Sequence, residues 1–298
     1  MTKERVFGAE THREKPPSIK ESLNALRQNR PLLMLTIADI LDGLTIKSQK
    51  GNYEKSILNF TNFGTIYGIP GSPVSYISFS YVGKLRQRFS TKFLWLLGNY
   101  INAPIYVLIY FFGMIKIKDP ARIAKMKVTN PAWKKPGVAR NFMDLWPMMA
   151  AFGIENTITM SMYGVNKVVP NELRNECIDY GEWKSGIRSE AMTGALRGMP
   201  YKITNMIGSS ITDAILQYIG FKTGPENYLK QSEKTSVWVF TLATLMPALM
   251  RLVSLVPKLM FNISQKDREV MYVELAERRA VAAAAVEEIR AAQAEGAN

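Results

Sequence analysis

Residues 93–115 read FLWLLGNYINAPIYVLIYFFGMI, a run without a single charged side chain and with aromatic rings gathered towards its two ends. A helix rises about 1.5 Å per residue, so about 20 apolar residues cross the roughly 30 Å of a bilayer's hydrocarbon. Tyr, Trp and Phe near the ends suit the water interface, where an apolar ring body and a polar edge are both accommodated. This stretch predicts a membrane-spanning helix and sets the frame for the rest of the chain.

Further apolar runs lie on either side of it. One covers 31–46, opens on Pro31 and carries Asp39 and Asp42. A second, 57–82, holds Gly64, Gly68, Pro70, Gly71 and Pro73, residues tolerated in a kinked span where neighbouring helices re-satisfy the backbone. Downstream, 142–165 places Glu155 near its middle, 191–221 contains Arg197, Lys202 and Asp213, and 237–261 carries Pro247, Arg251 and Pro257. The expectation is an all-α membrane protein with a six-helix transmembrane bundle over 31–262. A polar lead-in over 1–30 and an Ala/Glu/Arg-rich tail over 263–298, helical by propensity and solvated, flank it.

Whole-chain averages hide this pattern. The apolar share is 47% and the mean hydropathy −0.06, values an ordinary globular chain of 298 residues also shows, because charges crowd between the apolar runs. The net charge of +13 is scattered among those runs and forms no basic stripe with interleaved aromatics, which argues against nucleic acid as a partner. A single cysteine, Cys177, and a single histidine, His12, leave no disulfide framework and no Cys/His metal set. No catalytic residues suggest themselves, so no enzyme is expected. The lead-in is too polar for a secretory signal. With both termini cytoplasmic, Lys and Arg divide as about 20 inside against about 14 outside, a modest positive-inside bias opposed by the basic stretch 116–140.

The connection at 175–190, NECIDYGEWKSGIRSE, carries a more specific signal. It resembles the signature of the glycoside-pentoside-hexuronide:cation symporters, the melibiose permease group of the major facilitator superfamily. Asp179, Tyr180, Gly181, Glu182, Lys184, Gly186, Arg188 and Glu190 match, whereas Ala191 replaces a glycine. Lys202 stands where the group carries a membrane-embedded lysine, and residues 15–35 (KPPSIKESLNALRQNRPLLML) resemble the group's central cytoplasmic loop and seventh helix.

The resemblance implies helices seven to twelve of a twelve-helix sugar transporter in the cell membrane. It implies a sodium- or proton-coupled symport of a sugar or sugar acid, no cofactor beyond the coupling cation, and a partner in the form of an amino-terminal half or a second copy. The principal cation ligands would then lie on the other half. The alternative is a membrane interaction or scaffold protein that kept the bundle and lost transport.

Lys202 is implied to sit beside the cation site, with a lysine snorkelling to the interface as the competing reading. Asn205, Ser209 and Asp213 share its helix face, either towards a cavity or as helix-packing polar groups. Asp39, Asp42 and Arg197 are further cavity candidates, as is Glu155, for which a protonated carboxyl beside Asn156 and Thr157 is the other possibility. Asp179, Glu182, Lys184 and Arg188 are implied to form a cytoplasmic gate. Lys167 stands where a sugar-stacking tryptophan is expected, so galactoside specificity does not carry over, and Arg197 suits an anionic sugar better.

Overall fold

A computed structural model describes residues 27, 29–43, 48–60, 62–116, 142–186, 190–228 and 230–295. Most of the lead-in, the basic stretch between α5 and α6, and Arg188 lie outside the described residues. The helices are α1 (Arg30–Gly43), α2 (Lys50–Asn52, running into a π turn over Tyr53–Ile57), α3 (Phe63–Gly68), α4 (Gly71–Arg88), α5 (Thr91–Lys116) and α6 (Phe142–Ser161). They continue as α7 (Tyr163–Ser185), α8 (Glu190–Tyr218), α9 (Glu233–Ala243), α10 (Leu245–Met260) and α11 (Gln265–Glu295). No strand occurs among the described residues.

Two helical stretches, Thr91–Met114 and Glu233–Met260, are long and apolar enough to cross a membrane. The other expected spans fall short of that measure among the described residues. Their polarity has a visible use, because the bundle is patterned inside out. On α10, Lys258 is 4% exposed and Ser254 fully buried, whereas Leu252 (48%), Val256 (58%) and Leu259 (48%) face outwards. Water would favour the reverse arrangement; hydrocarbon favours this one. Leu108, Phe111 and Ile154 lie on the same kind of outer surface.

Two apolar clusters hold the helices together. One is built on Tyr53, Phe63, Phe152 and Phe240, the other on Leu35, Leu94, Leu173 and Phe261. α5 runs through both, since Leu94 and Trp95 belong to the second cluster and Ile109 to the first. α10 packs along α5 and α1, and α4 along α6 and α7. The closest approach of α4 to α7 depends on Gly164, where a Cβ would lie 2.8 Å from the Ser78 carbonyl oxygen. The Gly164 N–H instead donates to Ser78 Oγ at 2.7 Å.

Several expected boundaries move, each for a physical reason. The first helix ends at Gly43, short of 46, and Ser48 to Ile57 packs into the bundle, with Tyr53 and Ile57 buried. Its anchor is a break in the last span. Pro247 has no N–H to donate to the carbonyl four residues earlier, and the helix breaks at Thr244. The freed carbonyls of Leu242 and Ala243 accept from Gln49 N (3.5 Å) and Ser48 Oγ (3.4 Å).

The second span is likewise two helices, parted at Ile69 and Pro70. The connection expected over 167–189 is helical to Ser185, where Gly186 closes α7 in a left-handed conformation (φ 73°). Its charges pair with three neighbours: Glu172 with Arg86 of α4 (2.5 Å), Arg174 with Asp39 of α1 (3.0 Å) and Glu176 with Arg268 of α11 (2.9 Å). The first half of the tail docks one face on the bundle through Met271 and Leu275, which are buried, while most of its other described side chains are exposed.

Candidate functional site

Between the two apolar clusters α5 is interrupted by Gly98, Asn99 and Tyr106, and these residues line a cavity of about 490 Å3. The opposite walls come from Asp42, at the end of α1, Asn166 of α7, Asn205 of α8, and Arg251 and Lys258 of α10. The volume lies within the roughly 300–1,000 Å3 of small-molecule sites. Its polar lining contrasts with a second hollow between α3 and α6, walled by Ile66, Tyr67, Trp146, Met149 and Ile154. Gly98 is required here because a Cβ would press to 2.7 Å from Asn166 Oδ1.

Two of the three wall charges, Asp42 and Lys258, pair with each other. Lys258 Nζ lies 3.0 Å from Asp42 Oδ2, donates to Asn99 Oδ1 at 3.2 Å and sits 5.4 Å from the Trp95 ring centroid. Asn99 in turn donates to the Arg251 carbonyl (2.8 Å) and to Ser254 Oγ (3.0 Å), so α5 and α10 are joined by a short polar relay. The Arg251 guanidinium carbon stands 6.0 Å from the Tyr106 ring centroid, and Lys50 Nζ is 4.9 Å from the same centroid.

Lys50 is the hub of a second cluster beside the cavity. Its ammonium pairs with Glu155 Oε2 at 2.7 Å and lies 5.2 Å from the Phe152 ring centroid and 5.9 Å from that of Tyr67. Thr159 Oγ1 donates to Glu155 Oε1 (3.2 Å), and the Tyr67 hydroxyl donates to Glu54 Oε1 (3.1 Å). The Glu155 carboxyl is thus answered by a lysine, not by Asn156 and Thr157; the Thr157 hydroxyl bonds to the Gly153 carbonyl instead. A fixed counter-charge of this kind compensates the loss of water around a buried carboxylate.

The residues singled out from sequence divide into separate places. Asp42 and Asn205 line the cavity, whereas Asp39 is joined to Arg174 of α7. Lys202 and Asp213 are exposed on α8 and Ser209 is half-buried, its hydroxyl bonded to the Asn205 carbonyl. The face that α8 turns inwards is carried by Thr204, Gly208 and Thr212. The side chain of Arg197 lies outside the described residues.

Asp179 and Glu182 both accept from Arg279 of α11, at 2.8 and 2.5 Å, and Trp183 Nε1 donates to Glu274 at 2.7 Å. Lys184 rests 3.7 Å from the Trp183 ring centroid. The implied gate carboxylates are therefore engaged by the chain's own tail. Hydrogen bonding to Glu182 holds the Arg279 pKa above its ordinary value, and burial pushes the Glu176 carboxyl up against the pull of Arg268.

Lys50, Asn99, Tyr106, Arg251 and Lys258 had no place in the sequence reading of a site, although Arg251 was noted as a charge within a span. The spacing of Arg251 and Lys258 by seven residues, two helical turns, was a legible signal, since it sets both on one face of a span.

Comparison with known proteins gives one consistent picture. Residues 1–265 match the family described as MFS/sugar transport protein. A glucuronide carrier protein homolog of Escherichia coli (strain K12) is similar at 22% identity over 269 residues, 89% of this chain and 51% of that protein. The chain thus spans about half the length of that relative. No solved structure gives a significant match. With most of its length matched, and with a polar cavity walled by helices whose apolar faces point outwards, the chain belongs to the MFS/sugar transport protein family.

Proposed function

We propose that this chain is the six-span carboxyl-terminal bundle of a sodium- or proton-coupled symporter for a sugar or sugar acid. It would sit in the cell membrane with both termini cytoplasmic. The observation that carries this reading is the polar cavity of about 490 Å3 inside a bundle whose surface is apolar. Charged and amide groups within a membrane bundle are costly and mark a solute pathway more often than a packing role. Trp95 and Tyr106 offer apolar surface and Asn166 and Asn205 offer amides, the two kinds of contact a pyranose presents surfaces for.

The partner in this reading is an amino-terminal bundle. Transporters of this architecture place the substrate near the midplane between two repeats that rock against each other, and the relative of matching sequence is about twice as long. Lys202, exposed on α8, would then face the missing bundle and its cation ligands. Asp179, Glu182 and Lys184 would contribute to closing the cytoplasmic side. Similarity to a glucuronide carrier protein homolog supports a sugar acid as the substrate.

The test is uptake of radiolabelled methyl glucuronide into proteoliposomes under a sodium or proton gradient. The expected result is uptake when an amino-terminal bundle is co-reconstituted, its loss in Lys202→Ala, and no uptake by the chain alone. Robust uptake by the chain alone would remove the need for the partner. Absence of uptake with any amino-terminal bundle would leave the transport-inactive scaffold as the better description.

A further inference from the structure

We propose that Arg251 reads the carboxylate of a sugar acid held in the polar cavity, an inference that rests on the sugar-transport reading and adds its specificity determinant. The charges that line this cavity are Asp42, Arg251 and Lys258. Asp42 and Lys258 neutralise each other at 3.0 Å. Among the described residues no carboxylate pairs with Arg251; its guanidinium has only the face of Tyr106, at 6.0 Å. The lining therefore carries one positive charge more than it answers.

The neighbouring ions do not supply the missing anion. Glu155 is occupied by Lys50 and Thr159, and Glu54, which accepts from the Tyr67 hydroxyl, is not among the residues that line the cavity. Lys50 and Arg251 also press on the same ring, at 4.9 and 6.0 Å from its centroid. Two cations beside one aromatic ring gain when an anion settles near them. A guanidinium is the group suited to that anion, because its fixed fork accommodates both oxygens of a carboxylate at once.

The rest of the wall matches the remainder of such a ligand. Trp95 and Tyr106 contribute apolar surface for the ring, and Asn166 of α7 and Asn205 of α8 line the cavity as donors and acceptors for hydroxyls. The subsite is made wholly of this chain's residues, so binding requires no second bundle, although transport does.

The experiment is calorimetric titration of the purified chain, in lipid nanodiscs, with methyl glucuronide and with methyl glucoside, which differs in lacking the carboxylate. The wild-type chain is expected to prefer the glucuronide, and Arg251→Gln to reduce the ratio of the two affinities by roughly 10- to 100-fold. Arg251→Lys keeps the charge without the fork and is expected to fall between. Methyl glucuronamide, titrated into the wild-type chain, removes the charge from the ligand and carries no risk of misfolding; its affinity should drop to that of the glucoside.

Equal affinity for glucuronide and glucuronamide overturns the assignment of Arg251 while leaving the sugar reading intact. Absence of binding by all three ligands also overturns it, and the uptake experiment with an amino-terminal bundle then decides the transport reading separately.

Discussion

The interior of the bundle and its α7–α11 edge each pair a cation with a sheltered glutamate, at different depths. Lys50 meets Glu155 at 2.7 Å with side chains 20% and 3% exposed, and Arg279 meets Glu182 at 2.5 Å with side chains 27% and 7% exposed. The distances are similar and the energetics are not. Taking charges out of water is expensive, and attraction offsets that cost only while both partners are present. At the edge the arginine lies nearer the surface, so water screens its side of the pair and the net gain is smaller. The interior pairs therefore act as positional constraints on the cavity, and the edge pairs as a releasable latch between tail and α7.

The sharpest way to break this comparison is Lys50→Met. It leaves Glu155 buried without its counter-charge and should cost about 3–5 kcal/mol, seen as a fall in the melting temperature of the chain in nanodiscs. Lys50→Met with Glu155→Leu should recover most of it; failure to recover would mean that the pair does more than neutralise itself. Next in size, Lys258→Met strips Asn99 Oδ1 and Asp42 of a charged donor, for about 2 kcal/mol. The loss should be smaller than for Lys50, because the Asp42 side chain is 44% exposed and water can answer it.

At the edge, Arg279→Ala should cost no more than about 1–2 kcal/mol, since it takes the arginine from a sheltered Glu182 carboxylate near the surface. It should nevertheless speed proteolysis within α11, and an unchanged cleavage rate would show that Met271 and Leu275 alone dock the tail. The smallest effect separates the two regions without a mutation. Raising salt to about 1 M shortens the screening length to roughly 3 Å, so amide exchange in α11 should quicken while that of α5 and α10 stays unchanged.

The latch also bears on how the cytoplasmic side closes. If Asp179 and Glu182 serve another bundle in the closed state, as the transport reading holds, Arg279 is their occupant in the conformation described. Closing then exchanges one arginine for other cations, which needs little free energy because the edge is wet.

Much of this was legible in the residues themselves. Segregated apolar runs pointed to helices for a membrane, and Thr91–Met114, which covers most of 93–115, is one of the two stretches among the described residues long and apolar enough to cross it. The string at 175–190 pointed to a sugar-transport family, and the family match covers 265 of the 298 residues from the first onwards. Reading hydropathy also misled in two places. The stretch from Ser48 to Ile57 is polar enough to pass for a connection, yet it is drawn inwards by carbonyls freed at a helix break near Pro247, almost 200 residues away along the chain. The charged segment after Val165 has the composition of a loop, but its charges are satisfied by α1, α4 and α11, so it stays helical.

Local order and medium were set by the chain alone, because length, apolarity and the positions of Pro and Gly act on neighbouring residues. Which charges face which was a matter for the tertiary structure. Coulombic pairing depends on distance and burial, and neither Lys50 with Glu155 nor Asp42 with Lys258 lies near its partner in sequence. Only the packing of α5 against α10 brings Asn99, Tyr106, Arg251 and Lys258 around one cavity, and with that the surplus positive charge of its wall.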